Sequence, residues 1–170
     1  MRNLEVLGRK FREAVEEESL VRIEDAAKIS IARGHLVAAH ENLQAMKTDE
    51  ELARTAPDPF PHKKWVITKG YYAMYRAALS LLAVKGWTDK RGHDPVPVAL
   101  IVLYSKEEPS IANEITKMAE ELDEARKIRQ RSTYGLYPSR EEIDRGNREI
   151  PETARKFVAR AEDILRRGGA

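Results

Sequence analysis

At 170 residues, with 34% charged and 6% aromatic residues, the chain is long enough to bury one core unaided and has the profile of a soluble helical protein. It contains no cysteine, which excludes disulfides, thiolate catalysis and cysteine-ligated zinc. A formal charge of +2 is too small to argue for nucleic acid by itself.

The first stretch, MRNLEVLGRKFREAVEEE, has no apolar run of signal-peptide length and mixes charges of both signs, so a cytoplasmic protein is expected. Leu4, Leu7, Phe11, Ala14 and Val15 fall at helical spacing, predicting an amphipathic helix over 3–17. A second, longer helix is predicted over about 20–47, where Ile23, Ala27, Ile31, Ala38, Ala39, Leu43 and Met46 form a drifting stripe. Gly34 in its middle costs about 1 kcal/mol relative to alanine and suggests a bend or a close helix contact. His35 and His40 have no partners at ligand spacing in this helix. Thr48 and Glu51 have the spacing of a capping box that would open a short helical turn. The main loop, PDPFPHKK, holds three prolines, which remove amide donors and disfavour helix in the residue before them.

The stretch from Trp65 to Lys85, WVITKGYYAMYRAALSLLAVK, nearly loses its charge and carries apolar residues on every face. A helix of that kind is a central one, packed on several sides. It is not a membrane span, because Lys69 and Arg76 interrupt it. Gly86 fits a left-handed C-terminal cap. Asp94 reads as the N-cap of a short apolar helix over 98–104, with Pro95 in its first position. A further helix buries Ile111, Ile115, Met118, Ala119, Leu122 and Ala125, and STYGLYP, 132–138, is expected to end it. At about 100° per residue, Arg129 falls at the centre of that apolar stripe and Ile128 well off it. An arginine there reaches a carboxylate or a carbonyl, snorkels to an edge, or faces a cleft.

Ser139 and Glu142 form a second capping box. The last helical region, to Arg167, places Ala154, Phe157, Val158, Ala161, Ile164 and Leu165 on one face. Pro151 is expected to kink or split it. Nothing alternates with period two long enough to predict a strand. The chain therefore reads as one all-α domain over 1–170: an up-and-down bundle of four to five main helices with a core of about 20–167 and an accessory N-terminal helix.

No Gly-rich phosphate loop, HExxH or recognisable carboxylate pair is present, and four scattered histidines without cysteine do not suggest a metal site. From Ala125 to Arg148, seven basic residues stand against three acidic ones. Guanidinium groups beside phenols suit a phosphodiester or nucleotide phosphate, which the first would grip and the second could stack against or hydrogen-bond.

Three segments, GYYAMYRAALSLLAVKGWTDKRGH, ARKIRQRSTYG and PETARKFVARAEDIL, together resemble the HEPN domain of prokaryotes. The resemblance spans about 64–165: an aromatic central helix, a turn with KG, K and H, an arginine element, and a final helix with an alanine followed by Phe-Val. It implies a helical bundle that pairs into a homodimer, with a polar cleft near the interface. Many members are metal-independent ribonucleases, often toxins, in which an arginine is followed at short spacing by a histidine, and some work with a nucleotidyltransferase antitoxin. Carried over, Arg129 takes the arginine position and Tyr134 stands where active members have histidine; Thr133 stands where relatives often have aspartate. His93 matches the histidine after the central helix, and Tyr71, Tyr72 and Tyr75 match its aromatic cluster.

A tyrosine with a pKa of about 10 is a poor base for cleavage through a 2′-hydroxyl. The leading expectation is therefore nucleotide or RNA binding, with Arg129 and Tyr134 at the reacting phosphate and Arg126, Arg131, His93, Tyr71 and Tyr75 around the ligand. No cofactor or metal is implied. Such a protein would be a toxin-type or defence-associated component beside a nucleotidyltransferase partner. The alternatives are an active metal-independent ribonuclease and a non-catalytic module that only dimerises and recruits a partner.

Overall fold

The computed structural model describes residues 4–90, 92, 94–134 and 139–168, with Tyr134 described by its backbone alone. Within these residues the chain runs α1 (Leu4–Glu16), β1 (Leu20–Arg22), a 3-10 turn (Asp25–Ala27), α2 (Lys28–Thr55), α3 (Phe60–Val84), β2 (Trp87–Asp89), α4 (Val96–Tyr104), α5 (Pro109–Tyr134) and α6 (Arg140–Arg167). The result is an all-α bundle with one small antiparallel ribbon, in which Leu20 pairs with Asp89 and Arg22 with Trp87.

α3 is the axis of the bundle and packs against α2, α4, α5 and α6. Between Trp65 and Ala83 every residue is buried except Trp65, Lys69, Tyr72 and Arg76. Two glycines permit close helix approaches. A Cβ at Gly70 would stand 2.4 Å from Cγ2 of Ile150 on α6, and one at Gly146 would stand 2.8 Å from Cδ1 of Ile67 and 2.9 Å from Cγ2 of Ile128. Side-chain pairs then tie α2 to its neighbours: His62 Nδ1 lies 3.2 Å from Asp49 Oδ1, and His40 Nε2 lies 2.7 Å from Glu162 Oε1. α3 ends as expected, with Gly86 in the left-handed region at φ +81°.

Several local expectations are overturned by packing. Residues 20–27 are not the start of α2; they form β1 and the 3-10 turn, because Leu20 is drawn into the core beside the ribbon. Three-residue strands are too short to show a period of two in sequence. The Thr48 box does not form: α2 runs on to Thr55, and Thr48 Oγ1 donates to the Gln44 carbonyl inside the helix. Burial of Met46 against Gly70 of α3 carries the helix through that point. Phe60 already opens α3, so the proline loop is shorter than expected, and Asp58 Oδ1 accepts from its N–H at 3.2 Å. Gly34 meets no close helix, since a Cβ there has open space around it. Asp94 does not cap α4; Pro95 takes that place and the Asp94 carboxylate is drawn to Arg126. Pro151 does not split α6, which continues through it because Ile150 and Ala154 both pack on Gly70. Ile128 is buried, covered by α6 where Gly146 lets it approach.

The second capping box does form. Ser139 Oγ accepts from the Glu142 N–H at 3.1 Å, and Glu142 Oε2 accepts from the Ser139 N–H at 3.3 Å. Ser139→Ala should lower stability by about 1 kcal/mol in a urea titration. A change below about 0.3 kcal/mol would mean that the cap does not hold this helix end.

Candidate functional site

The middle of α3 and the C-terminal turns of α5 face one another, and this is where sequence and structure concentrate polar groups. Arg129 is only 6% exposed, as its place on the apolar stripe required. Its Nη1–H donates to the Tyr72 hydroxyl at 2.9 Å. The guanidinium carbon stands 4.8 Å from the ring centroid of Tyr71 and 5.3 Å from that of Tyr72. A delocalised cation on the faces of two phenols recovers part of the solvation lost on burial. Tyr71 extends the bed: it meets Tyr72 edge-on at 5.5 Å and stacks on Tyr75 at 6.1 Å.

The three tyrosines are not equivalent. Tyr71 is fully buried, and Tyr75 is buried with its hydroxyl donating to Asp89 Oδ2 at 2.5 Å. Asp89 is presented by the ribbon, which accounts for a pairing so distant from the helices' own logic. Tyr72 alone remains partly exposed. Of the two tyrosines expected around the ligand, Tyr71 lies beneath the arginine and Tyr75 behind Tyr71, both buried; Tyr72, which is not one of those two, is the phenol of the cluster that reaches solvent. Its sequence signal was its position seven residues after Trp65 and four before Arg76, on the same face of the helix.

Around this pair, Arg126 donates through Nη2 to Asp123 Oδ1 at 3.0 Å and through Nη1 to the Asp94 carboxylate. Burial alone would raise the Asp123 carboxyl, but hydrogen bonds from Lys127 and Arg126 outweigh it and hold it below its usual value of 3.8. This ion cluster is therefore charged at neutral pH and fixes α5 to the start of α4. Thr68 and Thr133 hydroxyls meet at 3.3 Å, and the buried Ser132 Oγ finds no hydrogen-bond partner among the described residues. Arg131 is placed elsewhere: it is half exposed and lies 3.5 Å from Glu124 on the outer face of α5. His93 and the side chain of Tyr134 lie outside the described residues. Among the described residues no group of three or more acidic or histidine side chains could hold a metal, and no helix is long and apolar enough to cross a membrane.

The protonation states limit the chemistry. Burial pushes the Tyr71 hydroxyl well above 10, with Arg129 opposing, and burial followed by the bond to Asp89 does the same to Tyr75. Both are neutral donors at physiological pH and not bases. Tyr104, buried near the far end of α3, is raised as well. A tyrosine whose folded pKa is raised stabilises the fold below pH 10 and loses that contribution as the unfolded chain ionises above it. In an absorbance titration of the native protein, Tyr71, Tyr75 and Tyr104 should stay protonated through pH 10 and ionise only with unfolding. Reversible ionisation of all six tyrosines near pH 10 would contradict the described bed.

Residues 32–168 match the family model described as the HEPN domain. No curated protein and no solved structure matches the chain.

Proposed function

Because the chain belongs to the HEPN domain family, we propose that it binds RNA or a nucleotide through a phosphate held at the Tyr72–Arg129 pair. The observation that carries this reading is the guanidinium itself, nearly buried, laid on two phenol rings and hydrogen-bonded to the one tyrosine of the cluster that reaches solvent. A cation fixed in that way needs little further ordering when an anion arrives, which is the condition for strong charge-assisted hydrogen bonding. Arg126, on the preceding turn of α5, is held by Asp94 and Asp123 and frames the site rather than charging it, and the Tyr72 hydroxyl is the donor that a phosphate oxygen meets first.

Binding is favoured over efficient cleavage because Tyr134 stands where active members have histidine and a phenol is a poor base at neutral pH, and because Tyr71 and Tyr75, held protonated, do not replace it. The family resemblance adds a homodimer, a toxin-type or defence-associated role and a nucleotidyltransferase partner, and these parts of the reading rest on that resemblance.

The test is fluorescence anisotropy of a labelled single-stranded RNA titrated with the protein in EDTA at low salt. Saturable binding is expected, weakening with salt by a log–log slope of about −0.7 for each phosphate engaged. A wild-type protein that leaves the RNA free at low salt would contradict the proposal. The same mixtures on a denaturing gel separate binder from ribonuclease: intact RNA is expected, and cleavage in EDTA would make the protein a metal-independent nuclease.

A further inference from the structure

We propose that the solvent-facing strip of α3, Trp65, Lys69, Tyr72 and Arg76, is a track for single-stranded RNA, with Trp65 stacking on a base beside the phosphate held at Tyr72–Arg129. The inference rests on the reading above and extends it by a base-binding position.

Four observations carry it. Between Trp65 and Ala83 these four residues are not buried, Trp65 being exposed and Lys69, Tyr72 and Arg76 half-buried, with Arg76 beside His35 of α2, and their spacing of four, three and four places them in one line along the helix. The line alternates ring, cation, ring, cation. Trp65 is 52% exposed, an unusual place for an indole, and the Lys69 ammonium lies 5.6 Å from its ring centroid. Finally, α3 has no acidic residue along its whole length, in a chain that holds 28 of them. A helix strip kept only for solvation has no need to avoid carboxylates.

The same chemistry continues toward the start of α3, where Lys64 lies 5.0 Å and the Arg140 guanidinium 5.7 Å from the Phe60 ring. At about 1.5 Å per residue, Trp65 and Arg76 are separated by about 16 Å along the helix axis, room for a few nucleotides. Tyr72 lies between them, so a backbone following the strip passes over Arg129. Aromatic faces that accept any base, set among cations that follow the phosphates, are the common means of holding single strands without sequence preference. A second copy of the chain would be met better by an apolar patch than by a strip in which every second residue is charged.

Affinities of wild type, Trp65→Ala and Arg129→Ala are to be measured for a single-stranded oligouridylate and for uridine monophosphate, in EDTA. Trp65→Ala should weaken oligouridylate binding by roughly 5- to 150-fold, the value of one stacked base, and leave the mononucleotide within about twofold. Arg129→Ala should weaken both. Lys69→Gln should lower the salt slope for the oligonucleotide by less than about one unit, as expected for a single phosphate contact. Equal oligonucleotide binding by Trp65→Ala and wild type would overturn the track and leave the phosphate site standing. Absence of both ligands from wild type would overturn the two together. If Trp65→Ala leaves RNA affinity unchanged but converts a dimer to monomer in light scattering, the strip is a contact between copies and the proposal is wrong.

Discussion

Arg129→Ala is expected to lower RNA affinity by roughly a hundredfold while the protein stays folded. The change removes the guanidinium and its donors. Each hydrogen bond to a charged group contributes about 1.5–3 kcal/mol, so loss of the fork at one phosphate accounts for the expected change. The fold is affected as well, because Arg129 is buried against Tyr71 and Tyr72 and bonded to the latter. Two cation–ring contacts and one hydrogen bond are partly offset by no longer burying a charge. The net should be about 2 kcal/mol, or roughly 4–8 °C in melting temperature for a chain of this size. Arg129→Lys separates site from scaffold: it keeps the charge, loses the planar fork, and should fall between alanine and wild type in affinity. RNA binding by a folded Arg129→Ala protein equal to wild type would remove Arg129 from the site.

Phe157→Ala should be the most damaging single change to stability, by about 3–5 kcal/mol. Phe157 is fully buried on the face of α6 that packs into the bundle, and its ring lies 6.0 Å from the Arg160 guanidinium. Truncation loses the transfer free energy of the ring and leaves a void that the surrounding helices fill only in part. The melting temperature should drop by roughly 6–20 °C, with RNA affinity retained at temperatures where the variant is folded. A loss under about 1 kcal/mol would show that α6 is not seated as described. The two variants are complementary: one removes function at moderate cost to the fold, the other the reverse.

The axis of the fold was legible because a helix with apolar residues on every face and few charges has few places to be. Arg129 was legible for a related reason, since a charged residue at the centre of an apolar stripe demands an explanation from its surroundings. The sorting of the tyrosines was legible only in part. Tyr72 shares its helix face with Lys69 and Arg76, but how deeply Tyr71 and Tyr75 are buried is decided by the helices and the ribbon packed around α3. The ribbon was equally hidden, because its register joins residues more than sixty positions apart and each strand has only three. Thr48 and Asp94 show local signals losing to tertiary ones: the first sits in a helix kept continuous by packing, and the second gives its carboxylate to Arg126. Ser139 kept its box.

The most direct test of the phosphate site is to observe Arg129 itself. In nitrogen-15-labelled protein, the guanidinium Nε–Hε signal of Arg129 is identified by its disappearance in Arg129→Lys, and a short single-stranded RNA is then added to wild type in EDTA. That signal should move in proportion to the fraction of protein bound. RNA that saturates the protein while the Arg129 signal stays fixed would contradict the phosphate site.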